Sequence, residues 1–276
     1  MPQLAINGVT LNVQVTGQGP VLVALHGFTG SATTWHPLAQ AIGNEYAVVA
    51  IDILGHGASA KPTEPSRYAM ERTIEDLLGV LDALSITTAH WLGYSMGGRI
   101  ALSLALAAPE RCNSLVLESA SPGIEDADER AKRIAGDETL AGMLERDGIE
   151  RFVDYWETLP LWASQGRLPE GARQTLRAQR LTNDPVGLAG SLRGIGSGTQ
   201  PYVGDALASL AMPVCFIAGE DDAKYAEVAQ SMTVAIPEGR AVVTPNAGHA
   251  VHLEQPDIFH ATVREFLNAY SPAQAS

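Results

Sequence analysis

At 276 residues and 46% hydrophobic composition, the chain has the length of one large α/β domain, or of a core with an inserted piece, and ample material to bury. Its formal net charge of −13 argues against nucleic acid and anionic membrane surfaces as partners, since both require basic patches. Two cysteines, Cys112 and Cys215, are too few for a disulfide framework; with no secretory pattern at Met1 to Leu4 and no apolar run of bilayer length, the expectation is a cytoplasmic protein.

Leu4 to Val15 alternates apolar and polar positions about Asn7-Gly8, a dipeptide suited to a tight hairpin because both residues tolerate positive φ. Val21 to Leu25 and Tyr46 to Ile51 are apolar runs typical of parallel strands covered on both faces. The first leads through His26-Gly27-Phe28-Thr29-Gly30 into a helical pattern, Thr34 to Ile42. The second leads through the glycine-rich turn Asp52 to Ser59 into Met70 to Leu84. That turn contains neither G-x-x-x-x-G-K-[ST] nor G-x-G-x-x-G, so it reads as structural rather than as a phosphate cradle. His90 to Leu92 is the next strand and Gly97 to Ala108 the next helix, with Gly93-Tyr94-Ser95-Met96-Gly97 between them. Ser114 to Glu118, Val214 to Ala218 and Arg240 to Thr244 complete the strands; Ala223 to Ala235 and Gln255 to Tyr270 complete the helices. This alternation predicts an α/β fold with a mostly parallel sheet and helices on both faces.

The stretch from Glu118 to Val214 is far longer than one crossover helix needs. It holds helical segments at Asp126 to Ile134, Leu140 to Arg146, Ile149 to Leu159, Glu170 to Arg180 and Pro185 to Leu192. The expected organisation is a core of residues 1–120 and 205–276 with a helical lid, 121–204, inserted after the sixth strand.

Gly93-Tyr94-Ser95-Met96-Gly97 has the strand–turn–helix context of a nucleophile elbow, which lifts a serine hydroxyl clear of the sheet at a helix N-terminus. Such a hydroxyl is inert until an imidazole can take its proton, and the imidazole needs a carboxylate to fix its tautomer. The chain order Ser, acid, His is met by Ser95, the Glu220-Asp221-Asp222 turn and His249. All three acids are candidates; Asp222, which ends its turn before a helix, is favoured. His252 lies close enough to His249 for a metal pair, without a cysteine or carboxylate cluster to support it. His26, His56 and His90 read as turn or buried structural groups, and His36 and His260 as helix positions. An oxyanion hole needs two backbone N–H donors, expected from Met96 and Phe28.

With His26-Gly27, Gly55-His56-Gly57-x-Ser59, the elbow, Gly219-x-x-Asp222 and Gly248-His249 in order, the whole chain resembles an α/β-hydrolase-fold enzyme. Narrower features are Arg99 four residues after Ser95; Glu118-Ser119-Ala120-Ser121-Pro122-Gly123 with Arg130 and Arg133; Trp156 with Pro160-Leu161; Arg177-x-x-Arg180; Ser191 to Gln200; and Lys224-Tyr225. Together they resemble the 2-succinyl-6-hydroxy-2,4-cyclohexadiene-1-carboxylate synthases of menaquinone biosynthesis, nearly end to end.

That resemblance implies a lyase removing pyruvate from a tricarboxylate, with no cofactor and no metal. It implies Ser95, Asp222 and His249 as the relay, and Arg99, Arg133 and Arg180 with Tyr94 and Trp156 as substrate-binding residues. Arg130 and Arg177 are near neighbours that leave the register of the two later arginines open. Competing readings are a carboxylesterase or C–C bond hydrolase with covalent Ser95 chemistry, and a catalytically silent binding protein. The arginines speak against the first, the complete relay against the second.

Overall fold

The computed structural model describes residues 3–271. Asn7 and Gly8 both take positive φ, 47° and 83°, and across them β1 (Gln3–Ile6) pairs antiparallel with β2 (Val9–Thr16). β2 pairs antiparallel with β4 (Ala47–Ile51). All later pairings are parallel: β3 (Val21–Leu25), β5 (Ala89–Tyr94), β6 (Cys112–Glu118), β7 (Val214–Gly219) and β8 (Gly239–Thr244). The sheet order is β1-β2-β4-β3-β5-β6-β7-β8. β5 runs two residues beyond its apolar core, because Gly93 and Tyr94 still pair with Leu117 and Glu118 of β6.

Each strand divides its side chains between two cores, as a period of two requires. Val23 and Leu25 face a cluster with Leu77 and Val80 of α2 (Met70–Ala83), Ile100 and Leu104 of α3 (Met96–Ala107), and Met232 of α7 (Ala223–Ala235). Leu22 and Ala24 face Leu38 of α1 (His36–Ile42) and Phe259, Val263 and Phe266 of α9 (Pro256–Tyr270). α3 is buried from Met96 to Ala105, which explains why its sequence is apolar on every side. It lies under the middle of the sheet and carries Ser95 at its N-terminal end.

Between β6 and β7, α4 (Ala127–Trp156), a 3₁₀ stretch (Pro160–Arg167), α5 (Glu170–Leu181) and α6 (Pro185–Ile195) build a third cluster of their own around Ala141, Leu144, Phe152, Trp156, Trp162, Leu188 and Leu192. Asp126 caps α4 by accepting from the Glu129 amide (2.8 Å). The separate helices expected at 126–134 and 140–146 are one continuous helix. The polar residues between them are absorbed within it: Asp137 turns inward to Arg133, and the Thr139 hydroxyl donates to the Ala135 carbonyl. The one break falls at Gly148, whose φ of 78° and ψ of 177° are open in practice only to glycine.

Candidate active site

Ser95 sits at φ 51°, ψ −108°, the strained turn between β5 and α3. Its amide donates to the Glu118 carbonyl of β6 (2.8 Å), locking the turn to the neighbouring strand. A side chain at Gly93 would strike the backbone of Gly97 and Gly98, and one at Gly97 the carbonyls of Leu25 and His26. Both elbow glycines are therefore dictated by close backbone approach.

His249 is 2% exposed, and its Nδ1–H donates to Asp222 Oδ2 at 2.6 Å. That leaves Nε2 to accept the Ser95 hydroxyl at 3.1 Å. Of the three acids in the turn, only Asp222 reaches the imidazole. Asp221 points outward to Arg167 (2.5 Å), and Glu220 is exposed. Asp222 also begins α7, accepting from the Tyr225 amide (3.4 Å). His252 belongs to another pair: its amide and Nδ1 both meet the fully buried Glu118 carboxylate at 2.9 Å. Among the described residues, no group of three or more His, Cys, Asp or Glu side chains is placed to hold a metal ion.

Ser95 lies on a cavity shared between the core and the helices that stand between β6 and β7. Phe28, Tyr94, Met96, Arg99, Arg133 and Trp156 all line it, as does Trp162. Among the described residues, the Phe28 amide donates to no protein acceptor, and Met96 opens α3, where a helix has no acceptor for its first amides. Both indole N–H groups, of Trp156 and Trp162, are buried without an acceptor among the described residues, at a cost in desolvation.

Arg99 is the most informative residue here. It is 8% exposed, one helical turn beyond Ser95, and meets no carboxylate among the described residues. Its Nη1 is held by the Ile195 carbonyl (3.1 Å) and by the Gln200 side chain. Burial pushes its pKa down to about 10, the mark of a cation short of a counter-ion. Arg133 reaches the same cavity from α4 and pairs at 2.9 Å with Asp137, whose pKa burial raises against the pull of Arg133.

Arg180 is placed differently. It does not line the cavity at Ser95; its guanidinium lies 5.3 Å over the Trp162 ring and is held by Glu157 (2.9 Å) and Gln165 (3.2 Å) in an adjoining hollow. The bulk of Trp162 and the Glu157 carboxylate keep it there. Arg177 is drawn outward by Asp154 and Glu157.

The residues from 20 to 256 match the family model described as alpha/beta hydrolase fold. The chain is 42% identical, over 92% of its length and 94% of the relative's, to a Bacillus subtilis protein provisionally named 2-succinyl-6-hydroxy-2,4-cyclohexadiene-1-carboxylate synthase. It is 32% identical to the Salmonella paratyphi C synthase of that name, covering 86% of this chain and 89% of that one. The solved structure of MenH from S. aureus superposes with a TM-score of 0.90 at 32% identity, covering 94% of this chain and 98% of that one. This chain belongs to the 2-succinyl-6-hydroxy-2,4-cyclohexadiene-1-carboxylate synthase family, on the α/β-hydrolase fold.

In this synthase-family site, sequence reasoning assigned no cavity role to Trp162, Ser191, Ile195, Ser197 or Tyr225, which line it from the 3₁₀ stretch, from α6 and the turn after it, and from α7. Tyr225 carried one readable signal, its place three residues after Asp222 in the first turn of a helix. Gln200, which props Arg99 from 101 residues away, figured only as the end of the Ser191 to Gln200 stretch that carries the family resemblance.

Proposed function

We propose that this protein is a carbon–oxygen lyase eliminating pyruvate from 2-succinyl-5-enolpyruvyl-6-hydroxy-3-cyclohexene-1-carboxylate, to give 2-succinyl-6-hydroxy-2,4-cyclohexadiene-1-carboxylate in menaquinone biosynthesis. Its relatives carry that name, and the site chemistry is suited to the reaction. The observation that carries the reading is the buried Arg99, with no carboxylate partner among the described residues, in the same cavity as Ser95.

In this reading Asp222 holds His249 in the tautomer whose Nε2 accepts, and His249 draws the proton from Ser95. The serine oxygen then removes the ring proton next to the succinyl carbonyl. The electron pair left on carbon spreads into that carbonyl, whose oxygen gains charge and is met by the amides of Phe28 and Met96. As the charge returns to the ring, a double bond forms at the deprotonated carbon, the existing ring double bond shifts by one position, and the bond from ring carbon to the enolpyruvyl oxygen breaks. The leaving enolpyruvate takes the proton held by His249 to become pyruvate, and the ring is left with two conjugated double bonds. Ser95 serves as a base, so no acyl-enzyme and no hydrolytic water enter, and the step needs no cofactor.

Arg99 and Arg133 hold carboxylates of the substrate, with Tyr94 and Trp156 against its ring. Arginine suits this task through its fixed charge and planar fork. Arg180 serves the same substrate only after release from Glu157. Residues 121–204 act as the lid over a core of 1–120 and 205–276, supported by an apolar cluster whose fully buried members all lie within the inserted segment and against which Phe28 of the core packs. A free tricarboxylate substrate fits a cytoplasmic enzyme.

The experiment is pyruvate release from the enolpyruvyl substrate, followed with a coupled dehydrogenase. Release with saturation kinetics supports the lyase. Rapid turnover of simple esters, with no pyruvate formed, would favour covalent acyl chemistry at Ser95 instead.

A further inference from the structure

We propose that Tyr225 is a substrate-binding residue, its phenol hydroxyl donating to the carboxylate that Arg99 holds; this rests on the lyase reading above. The residue is fixed at both ends. Its amide donates to Asp222 Oδ1 (3.4 Å), and its ring stands edge-on to the His249 imidazole, with centroids 4.7 Å apart. It lines the cavity together with Ser95, Arg99 and Arg133.

Packing alone asks only for a ring here. A phenylalanine would cover His249 equally well, yet the chain has a tyrosine at this cavity-lining position. Tyrosine hydroxyls on packed rings normally find a partner, whereas that of Tyr225 makes no hydrogen bond among the described residues. Burial raises the Tyr225 pKa and keeps the phenol protonated, so it remains a donor at neutral pH.

The neighbouring cation has the complementary lack. Arg99 spends Nη1 on the Ile195 carbonyl and Gln200, which leaves Nε and Nη2 without acceptors among the described residues. Arg99 and Tyr225 line the same cavity. A carboxylate has about four lone-pair positions, and one guanidinium edge occupies two of them. A phenol donor in the same cavity fills a third without adding charge. A half-occupied guanidinium and an unpartnered phenol that line one cavity therefore make an anion site with two kinds of donor.

Tyr225→Phe removes the donor and keeps the ring, so it is the decisive variant. In the pyruvate-release assay, KM for the enolpyruvyl tricarboxylate is expected to rise about tenfold, with kcat within about twofold of the original and the melting temperature unchanged. In an Arg99→Ala background the same change should have a much smaller effect, because the two groups share one carboxylate. Unaltered KM in Tyr225→Phe overturns the assignment. So does a fall in kcat at constant KM, which would make Tyr225 a support for His249 alone. If the unmodified enzyme releases no pyruvate at all, the lyase reading fails and this inference falls with it. If it does, and Arg99→Ala raises KM while Tyr225→Phe does not, only Tyr225 is misassigned.

Discussion

Ser95 occupies a backbone conformation that a non-glycine residue adopts only when its surroundings force it, and two glycines and the Glu118 carbonyl supply that force. What the strain achieves is a hydroxyl 3.1 Å from His249 Nε2, at the floor of a cavity. Ser95→Ala should lower kcat for pyruvate release by about a thousandfold or more while leaving the fold intact, as checked by circular dichroism and steady-state kinetics. Arg99 is a different kind of residue: a buried cation that meets no carboxylate among the described residues, so its burial is costly by itself. Arg99→Ala should raise KM by about thirtyfold or more, with a smaller change in kcat, and leave the melting temperature unchanged or higher. Near-original kinetics in that variant would remove the carboxylate clamp from the mechanism.

At the scale of elements, the segment between β6 and β7 is held by contacts of two strengths. Arg193 of α6 staples α4 through Glu138 (2.7 and 2.8 Å) and Glu145 (2.5 and 2.9 Å), but these groups are largely exposed and contribute little each. The apolar cluster around Phe152 and Trp156 does most of the work of holding α4 to α6. Gly148 sets the angle between the two parts of α4, and nothing lies within 4 Å of a side chain added there. Gly148→Ala therefore tests backbone strain alone. It should destabilise the protein by about 1–3 kcal/mol in denaturant unfolding, and because the bend positions Trp156 against the cavity, it should also raise KM. An unchanged midpoint would show that the bend is not enforced.

Across the whole molecule, buried imidazoles link the fold to pH. His26, His56 and His90 are fully buried, and burial lowers the pKa of each, with His90 pushed down to about 4. His90 lies between β6 and the C-terminal helix, with Nδ1 at the Ser114 hydroxyl (2.7 Å) and Nε2 at Ser271 (3.2 Å). A histidine whose folded pKa lies below its ordinary 6.5 binds its proton more readily when unfolded. The stability it contributes is therefore complete above pH 6.5 and is lost as pH falls toward 4. For His90 alone the loss between pH 7 and pH 5 is about 2 kcal/mol. Urea unfolding at the two pH values should show at least that decrease. His90→Gln should flatten the dependence even if it lowers stability at pH 7, and an equal slope in the variant would exclude His90 as the cause.

The sequence by itself determined the strands, the elbow and the order of the relay, because these are local: period-two apolar runs, backbone crowding at Gly93 and Gly97, and turns that follow strands. It also drew attention to Arg99, which one helical turn ties to Ser95. Tertiary structure alone decided which acid of Glu220, Asp221 and Asp222 turns inward, since that depends on the exposed pairing of Asp221 with Arg167. It decided too that Arg133 faces the cavity while Arg180 is held behind Trp162 by Glu157, and that Gln200 and Tyr225 join Arg99. Those outcomes rest on contacts between segments far apart in the chain, where side-chain competition for partners, rather than local pattern, sets the direction in which a charge points.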